Sequence, residues 1–357
     1  MSIYIVAEAG VNHNGSLDMA LELVDCASDA GADAVKFQTF HAEKVISENA
    51  PKAEYQTHTT GDGQSQLDMV RPLELGAEAH YSLKKRCNER KINFLSTPFD
   101  EDSLDFLVHN LGLRRLKIPS GEITNAPLLL RAARTGSSII MSTGMSTLGE
   151  IEEALGVLAF GFLNNETPPS REAFRKSFFS NEGQNLLKQR VSLLHCTTEY
   201  PAPFSEVNLR VLETLKQAFG LPVGYSDHTE GIAVPIAAAA LGAVIIEKHF
   251  TLNKGLPGPD HKASLEPDEL FAMIQGIRKV EMALGNSRKI PTPSEQKNKV
   301  IARKSLVANK EIKKGEAFSC DNITMKRPGD GVSPFFFWDC LETCAGKDFK
   351  KDEEIIY

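Results

Sequence analysis

Eight short runs of apolar and β-branched residues recur along the first 285 positions, each followed by enough chain to form a helix. They fall at residues 3–7, 34–37, 93–95, 116–118, 138–141, 191–194, 223–225 and 244–246. Amphipathic segments lie between them, such as 17–27, entered from Asn14-Gly15-Ser16, and 151–158, which opens on the capping box Thr147-x-x-Glu150. Strands alternating with helices require a parallel sheet. Eight such units match a (β/α)8 TIM barrel, typically ~250 residues with insertions, with a doubly wound open sheet as the alternative. The two longest intervals contain the polar stretches 49–66 and 164–189, which should form loops or extra helices over the barrel rim.

The pattern changes after Gly285. Residues 286–304 carry six basic residues, one acidic residue and two prolines, with no sustained hydrophobic period. The reading is therefore a catalytic barrel over 1–285, a linker over 286–302 and a small β-rich domain over 303–357, with strand-like runs at 305–308 and 323–326. A domain of that size buries only ~60% of its unfolded surface, so it is expected to dock on its own chain or on a partner.

Composition narrows the function. With 40 Lys+Arg against 47 Asp+Glu, the net charge of -7 disfavours non-specific nucleic-acid binding, so any anion must be held by a local cluster. The six cysteines form no CxxC pair and read as reduced thiols of a cytoplasmic protein. The N-terminal run is too short and lacks the basic flank of a signal peptide. The longest uncharged run, 231–246, is too short for a bilayer span, so no membrane role is expected.

Barrel chemistry sits at the C-terminal ends of the strands. In chain order those ends carry Glu8 with Asn12 and His13; Lys36 and Gln38; Thr97; Lys117, Ser120 and Glu122; Ser142; His195 through Thr198 to Tyr200; Ser226 and His228; and Glu247-Lys248-His249. Lysines with small hydroxyls suit a phosphorylated, carboxylated small molecule, and two imidazoles suit a divalent cation with open positions for water and substrate. Each residue also has a plainer reading. Lys36 could be a surface ion pair, and Ser120, Ser142 and Ser226 could cap the elements that follow. His195, inside an apolar strand, reads as a hydrogen-bonded core histidine, and His41, His58, His80 and His109 as solvated. Glu8, ending a buried strand, must be paired or functional.

Read together, these strings resemble the sialic acid (nonulosonic acid) synthase family. The resemblance rests on Glu8-Ala9-Gly10-Val11-Asn12-His13-Asn14-Gly15, Lys36-Phe37-Gln38, Lys117-Ile118-Pro119-Ser120-Gly121-Glu122, His195-Cys196-Thr197-Thr198-Glu199-Tyr200-Pro201, Tyr225-Ser226-Asp227-His228-Thr229, Glu247-Lys248-His249-Phe250-Thr251 and Gly258-Pro259-Asp260-His261. The tail, with Lys304-Ser305-Leu306-Val307-Ala308 and Lys326-Arg327-Pro328-Gly329, resembles the antifreeze-like (SAF) domain that ends those enzymes.

The resemblance implies condensation of phosphoenolpyruvate (PEP) with an N-acetylated mannosamine-type aldehyde, releasing phosphate by C–O cleavage. It also implies a divalent metal, Mn2+ or alternatively Mg2+ or Co2+, on His228 and His249. Lys36, Thr97, Lys117, Ser120, Ser142, Thr198 and Ser226 would hold PEP. Thr198 stands where some family members carry Asn, and either side chain offers a hydrogen bond. Glu8 would act on water or the developing intermediate, and Gln38, Glu122, Tyr200 and Asp260 would face the sugar. Arg327 would reach the barrel of a partner subunit in a domain-swapped homodimer. Glu54-Tyr55-Gln56, Ser65-Gln66-Leu67-Asp68-Met69-Val70 and Thr197-Thr198-Glu199-Tyr200 look more like the legionaminic acid branch than the N-acetylneuraminate branch. A metal-dependent aldolase would use the same barrel, and a passive barrel carrying an interaction or ice-surface tail is a rival of another class. Eight polar strand ends argue against the passive carrier.

Overall fold

The computed structural model describes residues 2–61, 63–164 and 167–356, less the side chains of Tyr55, His58 and Thr59; the expectation for His58 therefore lies outside the described residues. The strands are β1 (Tyr4–Gly10), β2 (Ala34–Thr39), β3 (Asn93–Pro98), β4 (Arg115–Ile118), β5 (Ser138–Ser142), β6 (Val191–His195), β7 (Val223–Asp227) and β8 (Ile245–His249). All are parallel, in the order β3-β2-β1-β8-β7-β6-β5-β4. Because β1 pairs with both β2 and β8, the sheet curls on itself. β3 and β4 then lie side by side without a regular ladder, closing a (β/α)8 TIM barrel rather than an open doubly wound sheet.

The period-2 alternation of each strand splits its side chains between two cores. Outward residues meet the helices; inward residues Val6, Ala34, Leu95, Ile140, Leu194 and Ile245 form a separate apolar plug in the lumen. Gly224 leaves room for that plug, since a Cβ there would sit 2.6 Å from Leu194 Cδ2.

The surrounding helices follow from local sequence. Ser16 Oγ accepts from Met19 N–H at 3.3 Å to start the helix Leu17–Asp29, whose Ala20, Leu23, Val24 and Ala27 form one buried stripe. The Thr147/Glu150 capping box starts the helix Leu148–Phe162. That helix is buried on nearly every side from Ala154 onward, because the helix Arg171–Phe179 covers its outer face, with Phe174 against Phe160 at 5.2 Å between ring centroids.

Two expectations need correction and a third holds. Residues 164–189 do not lie over the rim: the described part forms helices Arg171–Phe179 and Asn181–Arg190 on the outer wall, drawn there by the apolar outer face of Leu148–Phe162. Residues 49–66 do contribute helix, Glu54–Thr60, and the chain that follows it packs Val70 and Leu73 against Val11, Phe40 and Phe99 near the mouth. His80 is buried rather than solvated, sharing the inner face of the helix Ala77–Arg90 with Leu83 and Cys87, and its Nε2 pairs with Thr39 Oγ1 at 2.8 Å. His41 and His109 are exposed.

The chain divides into two compact units between Gly285 and Asn286. In the second unit the stretch read as a linker contains the helix Pro293–Ala302, started by a Thr292/Glu295 capping box and buried at no position, which is why no hydrophobic period marks it. β9 (Ser305–Ala308) and β10 (Ile323–Lys326) pair antiparallel over a small core that includes Leu306, Ile312, Phe318, Ile323 and Phe349. Among the described residues, no helix is long and apolar enough to cross a membrane.

Behind the lumen, Lys248 and Asp227 form an ion pair at 2.6 Å with neither side chain exposed, and Tyr225 and Thr229 complete the hydrogen bonds of Asp227. Replacing one member strands a buried charge, so Lys248→Met is expected to cost about 3–5 kcal/mol in equilibrium denaturant unfolding. A loss under about 1 kcal/mol would mean that the pair is solvated or relaxed in solution.

Candidate active site

Above the apolar plug the inward side chains turn polar at one level. β1 supplies Glu8, β2 Lys36 and Gln38, β3 Thr97, β4 Lys117, β5 Ser142, β7 Ser226 and β8 Glu247 and His249. Lys36 Nζ lies 2.6 Å from Glu8 Oε2 and donates to Thr97 Oγ1 at 3.1 Å. Lys117 Nζ lies 3.1 Å from Glu247 Oε1, which also accepts from Ser226 Oγ at 2.8 Å. Lys36 is therefore no surface ion pair: both lysines and both glutamates are at least nine-tenths buried.

The two carboxyls differ in environment. Burial pushes Glu8 up to about 7, Lys36 offsetting only part of it while Glu247 adds repulsion. Burial also opposes charge on Glu247, but Lys117, Lys36 and the Ser226 hydroxyl outweigh it and hold that carboxyl below the ordinary range. One carboxyl is thus poised to exchange a proton near neutrality, and the other stays an anion.

Near the lysines a set of hydroxyls packs closely around Gly144. Gly144, just after β5, donates its N–H to Ser120 Oγ at 3.0 Å. A Cβ at Gly144 would stand 2.4 Å from Thr198 Oγ1 and 2.8 Å from both Ser120 Oγ and Cys196 Sγ. Thr198 Oγ1 and Ser142 Oγ are buried and make no hydrogen bond. Free hydroxyls beside a buried ammonium suit the oxygens of a phosphate or carboxylate.

Next to these groups His228 and His249 face each other with ring centroids 5.5 Å apart, and Tyr200 stacks on His228 at 4.1 Å. His228 Nδ1 donates to Thr197 O at 2.6 Å, leaving Nε2 as the lone-pair nitrogen. Burial brings His228 down to about 4, and burial with the nearby His228 and Lys36 takes His249 well below the usual imidazole range, so both rings are neutral. The buried His249 Nδ1 makes no hydrogen bond and lies 3.9 Å from Asp260 Oδ2. Burial pushes that aspartate up to about 6, with Lys36 opposing.

Two neutral imidazoles, one with an orphaned nitrogen, fit a divalent cation. Among the described residues no cluster of three or more His, Cys, Asp or Glu could hold one, so a cation on the two imidazoles would take its remaining ligands from water and substrate. Gly10 brings the pieces together: at φ +54° it turns the chain where a Cβ would crowd Glu8 Oε1, His249 Cε1 and Gln38 Nε2 within 3.5 Å.

Of the residues read from sequence, Glu8, Lys36, Thr97, Lys117 and Ser226 join one charged network. Ser120 and Thr198 surround Gly144, with Ser142 two residues before it. His228, His249, Tyr200 and Asp260 form a neighbouring cluster, with Gln38 reaching it near Gly10. Glu122 is half-buried and accepts from Asn125 Nδ2 at 2.7 Å. Arg327 is exposed in the second unit. His195 is a core histidine, bonded to Val207 O at 2.6 Å. Glu247 reads from sequence only as a polar strand end and is given no role there; the signal for one is the period of two that puts it on the same strand face as His249.

Comparison with known proteins decides the family. Residues 23–289 match the NeuB family model. The chain is 52% identical to an N,N'-diacetyllegionaminic acid synthase of Campylobacter jejuni, covering 98% of both chains. It is 44% identical to the enzyme of that name from Legionella pneumophila, over 94% of this chain and 88% of the relative.

The chain belongs to the NeuB family.

Among solved structures, the N-acetylneuraminic acid synthetase of Leptospira borgpetersenii in complex with citrate matches with a TM-score of 0.68 and 35% identity, covering 84% of this chain and 90% of the other. The hydroxyl cluster at Gly144 is tested without turnover. Gly144→Ala is expected to weaken binding of inorganic phosphate by about tenfold or more in titration calorimetry, with a lowered thermal midpoint because its Cβ would press on Thr198, Ser120 and Cys196. Unchanged affinity would place the anion elsewhere.

Proposed function

We propose that this NeuB-family chain condenses PEP with 2,4-diacetamido-2,4,6-trideoxymannose to give N,N'-diacetyllegionaminate and phosphate, with N-acetylmannosamine as the next substrate to test. The observation that carries the reading is the layer of two buried lysines and free hydroxyls beside two neutral imidazoles. The choice of sugar is supported by the names of the two legionaminic acid synthases.

Lys36 and Lys117, with Thr97, Ser120, Ser142, Thr198 and Ser226, are assigned to the carboxylate and phosphate of PEP, where buried ammonium groups act at low dielectric. His228 and His249 would hold Mn2+, or Mg2+ or Co2+, and when bound the ion polarises the aldehyde oxygen of the sugar. Gln38, Glu122, Tyr200 and Asp260 are assigned to the sugar, which they orient with its aldehyde carbon toward C3 of PEP. The new C–C bond uses the enol π electrons and leaves C2 electron-poor. Water adds at C2, Glu8 taking its proton, and the tetrahedral centre collapses with C–O cleavage to release phosphate.

We assign the second unit to the SAF type and to docking on the barrel of a second copy, with Arg327 contacting the acyl group of the sugar there. Its exposed Phe335 and Trp338 support an apolar contact. A monomer with full activity, by light scattering and assay, would contradict this. Six free cysteines support a cytoplasmic location.

Phosphate release with PEP, the diacetamido sugar and Mn2+ is expected, with activity lost in chelator and restored by Mn2+. His249→Ala should lower turnover at least about 1,000-fold while leaving the fold intact. The Glu8 base must be ionised, and its raised pKa means that ionisation is complete only above about 7. kcat/KM for PEP should therefore climb through pH 7, and Glu8→Gln should abolish both the limb and most activity. A flat profile from pH 5.5 to 8 would remove Glu8 from that role.

A further inference from the structure

Glu247 reaches across the whole lumen. β8 and β4 stand four strands apart in either direction around the ring, yet Glu247 Oε1 meets Lys117 Nζ at 3.1 Å. Its carboxylate is anchored by Ser226 Oγ, while its Oε2 makes no hydrogen bond and lies 3.8 Å from Lys36 Nζ. Lys36 already has Glu8 at 2.6 Å and Thr97 at 3.1 Å. Glu247 is thus a second buried negative charge placed between two ammonium groups, one of which has another counter-ion.

We propose that Glu247 is a positioning residue acting through Lys36 and Lys117: its fixed charge offsets the lysine pair so that the site lets go of phosphate. This rests on the reading above. PEP and the released phosphate carry the same anionic group, so lysines that grip both equally tighten binding without speeding the reaction. In a buried layer each charge is felt strongly, and a carboxylate facing both lysines weakens the hold on substrate and product together. Turnover then escapes limitation by phosphate departure. The carboxylate also fixes both ammonium groups at one depth in the lumen, through a contact that neither β2 nor β4 provides for itself.

The test is the kinetics of Glu247→Gln, which keeps the side-chain shape and the acceptor for Ser226. The inhibition constant of inorganic phosphate is expected to fall about tenfold, KM for PEP to fall with it, and kcat to drop, with a pre-steady-state burst as phosphate release becomes limiting. Glu247→Asp, its charge retained one methylene further from Lys117, should shift the phosphate constant about threefold in the same direction. The Asp variant carries the test if the Gln variant does not fold. Unchanged or weaker phosphate inhibition with a raised KM for PEP overturns the proposal, since Glu247 would then only aim the lysines. Failure of the wild-type chain to release phosphate from PEP overturns the functional reading instead. Calorimetric phosphate binding by wild type and Glu247→Gln still decides the counter-charge.

Discussion

Two lysines and two glutamates share a layer of the barrel from which water is nearly excluded, and the rest of the mouth is arranged around that layer. Charges so placed cannot be left to solvent; each must be paired or given a ligand. The apolar plug beneath, from Val6 to Ile245, prevents the cluster from draining into the barrel floor. The strand register supplies the pairing, because Ser226 lies beside Glu247 and Glu8 beside Lys36 in the ladders. A one-residue slip of β8 would turn Glu247 and His249 outward and bring Lys248 into the lumen. The buried Lys248–Asp227 pair on the outer face therefore also guards the register of the inner one.

The same low dielectric does opposite things to different groups. It keeps the facing histidines neutral, with lone pairs available to a cation, and raises Glu8 to where it can exchange protons near neutrality. Glu247 escapes that rise because two ammonium groups face it. Residue types alone do not produce this division: two glutamates on neighbouring strands acquire different roles from their distances to the same lysines.

Much of this is legible in the chain. Apolar runs locate the strands because parallel strands buried on both faces read as continuous hydrophobic segments. The strands run further than those runs, β1 to Gly10 and β8 to His249, because the residues that end them are polar and functional. His80 reads as solvated because a helix-face histidine looks so until its companions Leu83 and Cys87 are counted. The outer-wall helices escape sequence reasoning because a polar stretch says nothing about which side of the barrel receives it. Glu247 escapes it because its role comes from Lys117, a residue 130 positions away on the opposite strand.

The central claim is that this mouth holds an enol phosphate so that water is delivered to carbon and not to phosphorus. Turnover of PEP labelled with 18O at the oxygen bridging C2 and phosphorus, with the diacetamido sugar and Mn2+, tests it most directly. The label should leave in inorganic phosphate, read by the isotope shift of its 31P resonance. Label retained in the nine-carbon product would mean attack at phosphorus and would contradict it.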